Sequence, residues 1–173
     1  MYLFETVAVP CRQRELLRRR RFGVVELAEG HLLRIRLRPW PKVVTAPGVL
    51  LLGGLSHRLL SGDRIWLYYN QPWGFSNFLV LRYVLSARDT SMKSLTRGLA
   101  VIDEIARLKR SDAILCDVGN WRITTKLLTR WGWEPHCPSR WHRHYIKRLY
   151  GQYPEPPEWL QDIQDNEVTH GVE

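Results

Sequence analysis

Phe78-Leu-Val-Leu-Arg-Tyr-Val-Leu85 opens the stretch of sequence that decides the fold, and this stretch closes on Trp131-Gly132-Trp133. Its first residues are apolar and β-branched enough for a buried strand, and residues 86–90 supply a polar break. A helix is predicted over 91–110 and a short strand over 113–117, followed by a second helix. This order favours a parallel, right-handed crossover with a polar loop at the carboxyl edge of the sheet, where ligands commonly bind.

The rest of the chain adds mainly strands. The turn Ala28-Glu-Gly30 lies between two apolar runs and predicts a hairpin. Alternation in its second arm places Leu33, Ile35 and Leu37 on one face. Residues 42–61 fit a strand end, a tight loop or a poor helix. Further elements are predicted as strands over 1–9, 64–69 and 145–149 and a helix over 12–21, which together give a mixed α/β sheet.

Composition restricts the class of protein. The 173 residues, 45% of them apolar, predict one globular domain over 1–153. Three widely spaced cysteines disfavour a secreted disulfide framework, so we expect a cytoplasmic protein. No signal peptide is evident, and the apolar run 49–60 is too short to cross a bilayer, so no membrane association is expected. Residues 154–173 contain no Lys or Arg and predict an acidic, flexible tail.

The net charge of +9 makes a polyanion a candidate partner. Three basic features could bind nucleic acid, but each has a simpler structural explanation. The run Arg18–Arg21 is also typical of a solvated helix end, and alternating arginines are also typical of an exposed strand face. Mixed aromatic and basic residues over 130–150 also fit core packing with exposed cations. The alternating arginines are Arg34, Arg36 and Arg38.

Motifs for other enzyme classes are missing. The chain has no Gly-x-Ser-x-Gly for a nucleophilic serine and no Gly-x-x-x-x-Gly-Lys for nucleotide hydrolysis. His136, Cys137, His142 and His144 do not have the spacing of a paired-ligand zinc site, so no metal is expected.

From Phe78 to Tyr150 the order of elements resembles the carboxyl-terminal half of the GNAT N-acetyltransferases. The matching features are the long strand, the polar loop opening a helix, the short strand and the Trp-Gly-Trp turn, where the family usually shows Leu-Gly-Phe. The resemblance implies a GNAT-like acyl-CoA N-acyltransferase fold. In that family the strand entering the loop separates from its parallel neighbour, and the pantetheine arm of acetyl-CoA enters the wedge.

The resemblance also implies a cofactor site, because the family's loop and helix start surround the pyrophosphate of acetyl-CoA. The implied cofactor-binding residues are Leu85, Ser86, Arg88, Ser91, Lys93, Ser94 and Asn120. The family's loop pattern is Arg or Gln, two residues, Gly, one residue, then Gly or Ala. With Arg88 in first place, Ser91 and Lys93 occupy the glycine positions, which hinders backbone approach to a phosphate.

Catalytic residues are not identified. The family's general-acid tyrosine, about four residues before the turn glycine, corresponds to Leu128 here. Two functions therefore stay open. One is a divergent N-acetyltransferase that moves an acetyl group from acetyl-CoA to an unknown amine. The other is a catalytically inactive protein of the same fold whose basic surface binds nucleic acid or another polyanion.

Overall fold

The structure is a computed structural model, and it describes residues 5–7, 13–40, 62–118, 123–137 and 143–161, apart from the side chain of Tyr83. The predictions for 42–61 and for Asn120 lie outside the described residues. In chain order the helices and strands are β1 (Glu5–Val7), α1 (Arg14–Arg19), β2 (Phe22–Ala28), β3 (His31–Arg38), β4 (Arg64–Asn70), β5 (Phe78–Ser86), α2 (Met92–Lys109), β6 (Ala113–Asp117), α3 (Thr125–Arg130), β7 (Glu134–Pro135) and β8 (His144–Arg148).

All eight of these strands belong to one sheet, in the order β1-β3-β2-β4-β5-β6-β8-β7. Neighbouring strands are antiparallel except β5 and β6, which are parallel because α2 carries the chain back to the same end of the sheet. The predicted mixed, largely antiparallel α/β fold with one parallel strand–helix–strand crossover is confirmed. None of the helices within the described ranges is long and apolar enough to cross a membrane.

The predicted hairpin joins β2 and β3. Glu29 and Gly30 both have positive φ, at 52° and 75°, as a two-residue turn that follows the sheet twist requires. The pairing shifts between Glu26 and Leu27, where Leu33 becomes the extra residue of a bulge. Leu33 is therefore 54% exposed, and the prediction that it shares a buried face with Ile35 and Leu37 is wrong.

Helix α2 lies close against the sheet at Gly98. A Cβ on Gly98 would come within 2.6 Å of a methyl carbon of Leu67 in β4 and 3.3 Å of one of Leu27 in β2. A glycine inside a helix costs roughly 1 kcal/mol relative to alanine. Here it permits the approach that buries Val101, Ile102 and Ile105, each fully inaccessible to solvent. The approach fixes α2 against β2 and β4.

The segment after β8 packs on the domain as far as the structure describes it. The Tyr153 hydroxyl donates to the carbonyl of Ser111 at 3.2 Å. Further on, Trp159 lies under the Arg97 guanidinium, 4.8 Å from carbon to ring centroid, and Leu160 is fully buried. Within the predicted flexible tail, Trp159 thus contacts α2 and Leu160 is part of the core. Residues 162–173 lie outside the described ranges, so the acidic, flexible tail stays a prediction there.

Candidate functional site

The ladder between the parallel strands β5 and β6 ends well before β5 does, and one residue before β6 ends at Asp117. They pair only between Phe78–Leu81 and Ala113–Cys116. Beyond Leu81, β5 continues to Ser86 while staying paired with β4 on its other side. The edge of β5 that faces β6 therefore has no ladder partner over 82–86 among the described residues. Backbone groups on such an edge are available to bind an extended ligand.

A bulge in β5 decides which side chains face this opening. Tyr68 pairs with Tyr83 and Tyr69 with Leu81, which leaves Arg82 as the extra residue. Because one added residue reverses the alternation, the face that carries Leu81 before the bulge carries Val84 and Ser86 after it. Val84 and Ser86 therefore face the opening. Without the bulge, alternation from Leu81 would have placed residues 83 and 85 on that face.

The separated strands form one wall of a cleft of about 300 Å³. The start of α2 and the α3 region form the others, and Trp133, only 2% exposed, contributes to the deep wall. Most of the lining is apolar, as in sites that bury the body of a ligand and orient it with a few polar groups. The lining residues are Ile65, Leu81, Val84, Ser86, Ala87, Arg88, Thr90, Ser91, Met92, Leu95, Leu99, Cys116, Asp117, Val118, Ile123, Leu128, Trp131 and Trp133.

The loop between β5 and α2 is fastened to the residue that begins β4. The Ala87 N–H donates to the Arg64 carbonyl at 3.0 Å. The Thr90 hydroxyl lies 2.7 Å from that same carbonyl oxygen and 2.9 Å from the Ala87 carbonyl oxygen, so it can donate to both. These bonds give the mouth of the cleft a defined shape without glycine.

Asp63 holds Ser91, the N-cap residue of α2. Its carboxylate accepts the Ser91 N–H at 2.9 Å and the Ser91 hydroxyl at 2.6 Å, and the Ser91 hydroxyl oxygen accepts the Ser94 N–H at 3.1 Å. Burial raises the pKa of Asp63, but the hydrogen bonds from Ser91 and Ser94 and the charge of Lys93 together outweigh that effect and hold the pKa below its ordinary value. A negative charge thus already lies at the positive end of the helix.

The structure separates the residues predicted to bind a cofactor. Ser86, Arg88 and Ser91 line the cleft. Leu85 lies on the other face of β5, opposite Trp66, because of the bulge at Arg82.

Two more of those residues belong to the contact between α2 and the β2–β3 turn. The carbons of the Lys93 side chain lie against Gly30, where a Cβ would be 3.2 Å away. Ser94 is fully buried, and its hydroxyl oxygen accepts the Gly30 N–H at 2.8 Å. Neither side chain lines the cleft.

Sequence reasoning missed several residues of the cleft. The sequence places Trp131 and Trp133 in the closing turn without indicating a site, and it indicates no site role for Cys116, yet all three line the cleft. Asp117 carried a usable signal, because it ends a strand at the carboxyl edge of the sheet. It is the one carboxylate among the described lining residues and can accept a proton. Burial, with Asp117 nearby, raises the pKa of the Cys116 thiol to about 12, which disfavours a nucleophilic role.

Leu128 lines the cleft at the position where the resembling family has its tyrosine. No tyrosine occurs among the described lining residues. Within the described parts of the chain, no group of three or more His, Cys, Asp or Glu side chains is placed to hold a metal ion. The Sγ atom of Cys137 lies 3.4 Å from Nε2 of His136, and His142 is outside the described ranges.

Arginines of the two predicted basic surfaces have partners within the protein. Arg34 and Arg36 both pair with Glu26, a carboxylate that is only 3% exposed. In the run 18–21, Arg20 pairs with Glu5 at 2.7 Å, and Arg21 donates to the Pro72 carbonyl at 3.1 Å. These contacts supply a structural reason for the arginines. Polyanion binding remains a prediction.

A second cavity, of about 210 Å³, adjoins the cleft through Leu99, Trp131 and Trp133. Its wall contains a largely buried ion pair between Asp103 of α2 and Lys147 of β8, 2.7 Å apart. Burial raises the pKa of Asp103, and the Lys147 ammonium offsets part of that rise. The pair links α2 to β8 behind the cleft.

No protein-family model and no curated protein matches the chain. Two solved structures of acetyltransferases resemble it. An acetyltransferase assigned to the GNAT family from Desulfovibrio desulfuricans is 16% identical, with a TM-score of 0.41 over 50% of this chain and 60% of that one. Nourseothricin acetyltransferase is 10% identical, with a TM-score of 0.38 over 85% of this chain and 99% of that one.

The chain thus spans 60% of the length of the first of these structures. Superpositions this distant do not define a fold by themselves. The structure itself shows the order of elements and the mixed, largely antiparallel sheet with one parallel crossover that the resemblance implied. In this sense the fold is GNAT-like.

Proposed function

We propose that the chain is a divergent N-acetyltransferase that moves an acetyl group from acetyl-CoA to an amine. The observation that carries the proposal is the separation of β5 from β6 beyond Leu81, with an apolar cleft of about 300 Å³ in the opening. An arrangement of this kind suits an extended thioester arm, whose carbons need apolar walls and whose amides need backbone partners. The acceptor amine is not identified by any side chain.

The free edge of β5 supports binding of the arm. An extended ligand that carries amide groups can bond to residues 82–86 in the way that a short added strand does. Hydrogen bonds of this kind fix the direction of the arm, and the cleft side chains Leu81, Val84 and Leu99 exclude water from it. The thioester would then be held near the point where β5 and β6 meet.

Direct transfer fits the chemistry of the cleft better than a covalent enzyme intermediate. The amine nitrogen forms a bond to the acyl carbon, the carbon–sulfur bond breaks, and the thiolate takes up a proton while the amine loses one. Backbone N–H groups at the free edge can polarise the thioester carbonyl. The Cys116 thiol stays protonated at neutral pH because its pKa is about 12, so it is a poor acyl acceptor.

Calorimetric titration of the full chain with acetyl-CoA tests the proposal. We expect saturable binding with a dissociation constant below about 1 mM and a negative heat-capacity change, since apolar surface is buried. CoA without the acetyl group should compete for the same site. No binding of either compound at that concentration would reject the proposal, and nucleotide binding that S-acetylpantetheine cannot displace would assign the site to another ligand class.

A further inference from the structure

This inference rests on the proposed function and concerns which part of the acyl donor the protein recognises. The positive end of a helix next to a ligand cleft ordinarily attracts an anion, and a nucleotide diphosphate is the anion that a CoA donor would bring. Here a carboxylate of the protein itself, that of Asp63, lies close to this position. Both carboxylate oxygens of Asp63 accept hydrogen bonds from Ser91, at 2.9 Å and 2.6 Å.

Four N–H groups of the loop and helix start already have acceptors. Ala87 N–H is bonded to the Arg64 carbonyl at 3.0 Å and Thr90 N–H to the Ala87 carbonyl at 3.3 Å. Ser91 N–H is held by Asp63, and Ser94 N–H is held by the Ser91 hydroxyl. A diphosphate at this position would have fewer donors to use and would lie close to a carboxylate.

The nearby cations offset that charge only in part. The Lys93 ammonium helps to lower the pKa of Asp63, although the carbons of its side chain extend along the β2–β3 turn against Gly30. Arg97 donates to the Gly30 carbonyl at 2.7 Å and stacks on Trp159. Arg88 is the one cation among the described residues that line the cleft. A carboxylate a few ångströms from a phosphate disfavours binding of that phosphate, and more strongly when water is excluded.

From this geometry we infer that the protein recognises the pantetheine thioester arm of its donor and not the nucleotide diphosphate, and that Asp63 sets this selectivity. The substrate class is therefore acyl-pantetheine thioesters, with the nucleotide dispensable for binding. The arm contacts the free edge of β5 and the apolar cleft, both of which lie beyond the loop. The nucleotide of a CoA donor projects from the cleft mouth near Arg88.

Calorimetric titrations with acetyl-CoA and with S-acetylpantetheine, which lacks the nucleotide, test the inference. The wild-type protein should bind the two with affinities within about threefold of each other. Asp63→Ala should increase the affinity for acetyl-CoA by about tenfold, because one negative charge beside a phosphate is removed. Its affinity for S-acetylpantetheine should equal that of the wild type. Asp112→Asn is the matched control, because it removes one partly exposed charge just before the amino end of β6, away from the loop and the cleft lining. It should change neither affinity.

Asp63→Asn keeps the inference testable where the alanine variant does not fold. Its amide can still accept the Ser91 N–H and bond to the Ser91 hydroxyl, so the cap persists without the charge. This variant should bind acetyl-CoA several-fold more tightly than the wild type does. A wild-type preference for acetyl-CoA of about tenfold or more would overturn the inference and leave the proposed function standing. If neither acetyl-CoA nor S-acetylpantetheine binds to the wild type or to any variant, the proposed function is rejected as well.

Discussion

Replacing Val84 by tryptophan should reduce acetyl-CoA affinity by at least about a hundredfold, or about 2.7 kcal/mol. Val84 follows the β5 bulge, faces the cleft and is 40% exposed, so an indole there extends into the opening without overpacking a sealed core. The pantetheine arm and the indole would occupy the same space. Calorimetric titration gives the affinity, and a circular dichroism melt checks that the fold persists.

Leu33→Trp provides the matched control for this variant. Leu33 is the bulge residue of β3, is 54% exposed and does not line the cleft. It receives the same indole on the same sheet and should bind acetyl-CoA as the wild type does. Equal affinities in the two variants would show that the opening between β5 and β6 is not where the donor binds.

Replacing Lys147 by methionine should lower the free energy of unfolding by about 3–5 kcal/mol, because it leaves the Asp103 carboxylate buried without its partner. The side chains of the pair are only 11% and 15% exposed. Methionine preserves most of the stem volume, so the loss reports the charge and not a cavity. Urea denaturation at neutral pH measures the difference.

The pH dependence of this variant has a defined sign. Burial raises the pKa of Asp103, and the Lys147 ammonium lowers it. Without the ammonium the pKa rises further, so the carboxyl takes up a proton as the pH falls through that value. The destabilisation should therefore shrink at acidic pH and be largest at neutral or higher pH.

Two further variants test whether the loss of stability comes from the buried ion pair between Asp103 and Lys147. Arg148→Met removes a cation from the neighbouring residue, whose pair with Glu134 is largely exposed, and should cost no more than about 1 kcal/mol. Asp103→Leu combined with Lys147→Met should recover most of the lost stability, since it leaves no unpaired buried charge. Equal losses for Lys147→Met and Arg148→Met would contradict the structural account of the pair.

Local patterns in the sequence predicted the elements well. The strand β6 (Ala113–Asp117) lies where the apolar run placed it, and Ser91 caps α2 where the polar break ends. Both signals depend on residues close together in the chain, which is why periodicity detects them. The same reasoning predicted the parallel crossover and thereby the edge of the sheet that carries the cleft.

Features set by cross-strand or distant contacts were not predictable in this way. The bulge at Arg82 depends on how β5 pairs with β4, and it moved Leu85 away from the cleft. Asp63 had no distinguishing context, because its partner Ser91 is 28 residues further on. The burial of two acidic residues of α2 also depends on their partners, because Asp103 pairs with Lys147 and Glu104 with Arg107 in mostly buried positions.

Amide hydrogen exchange of the β5 edge tests the central claim most directly. Acetyl-CoA at saturation should slow exchange among residues 82–86 by about tenfold or more, because the arm closes an edge that β6 leaves open. The edge strand β1 (Glu5–Val7) serves as the internal reference and should not change. Unchanged exchange over 82–86 while acetyl-CoA is bound would contradict the account, since the donor would then lie elsewhere.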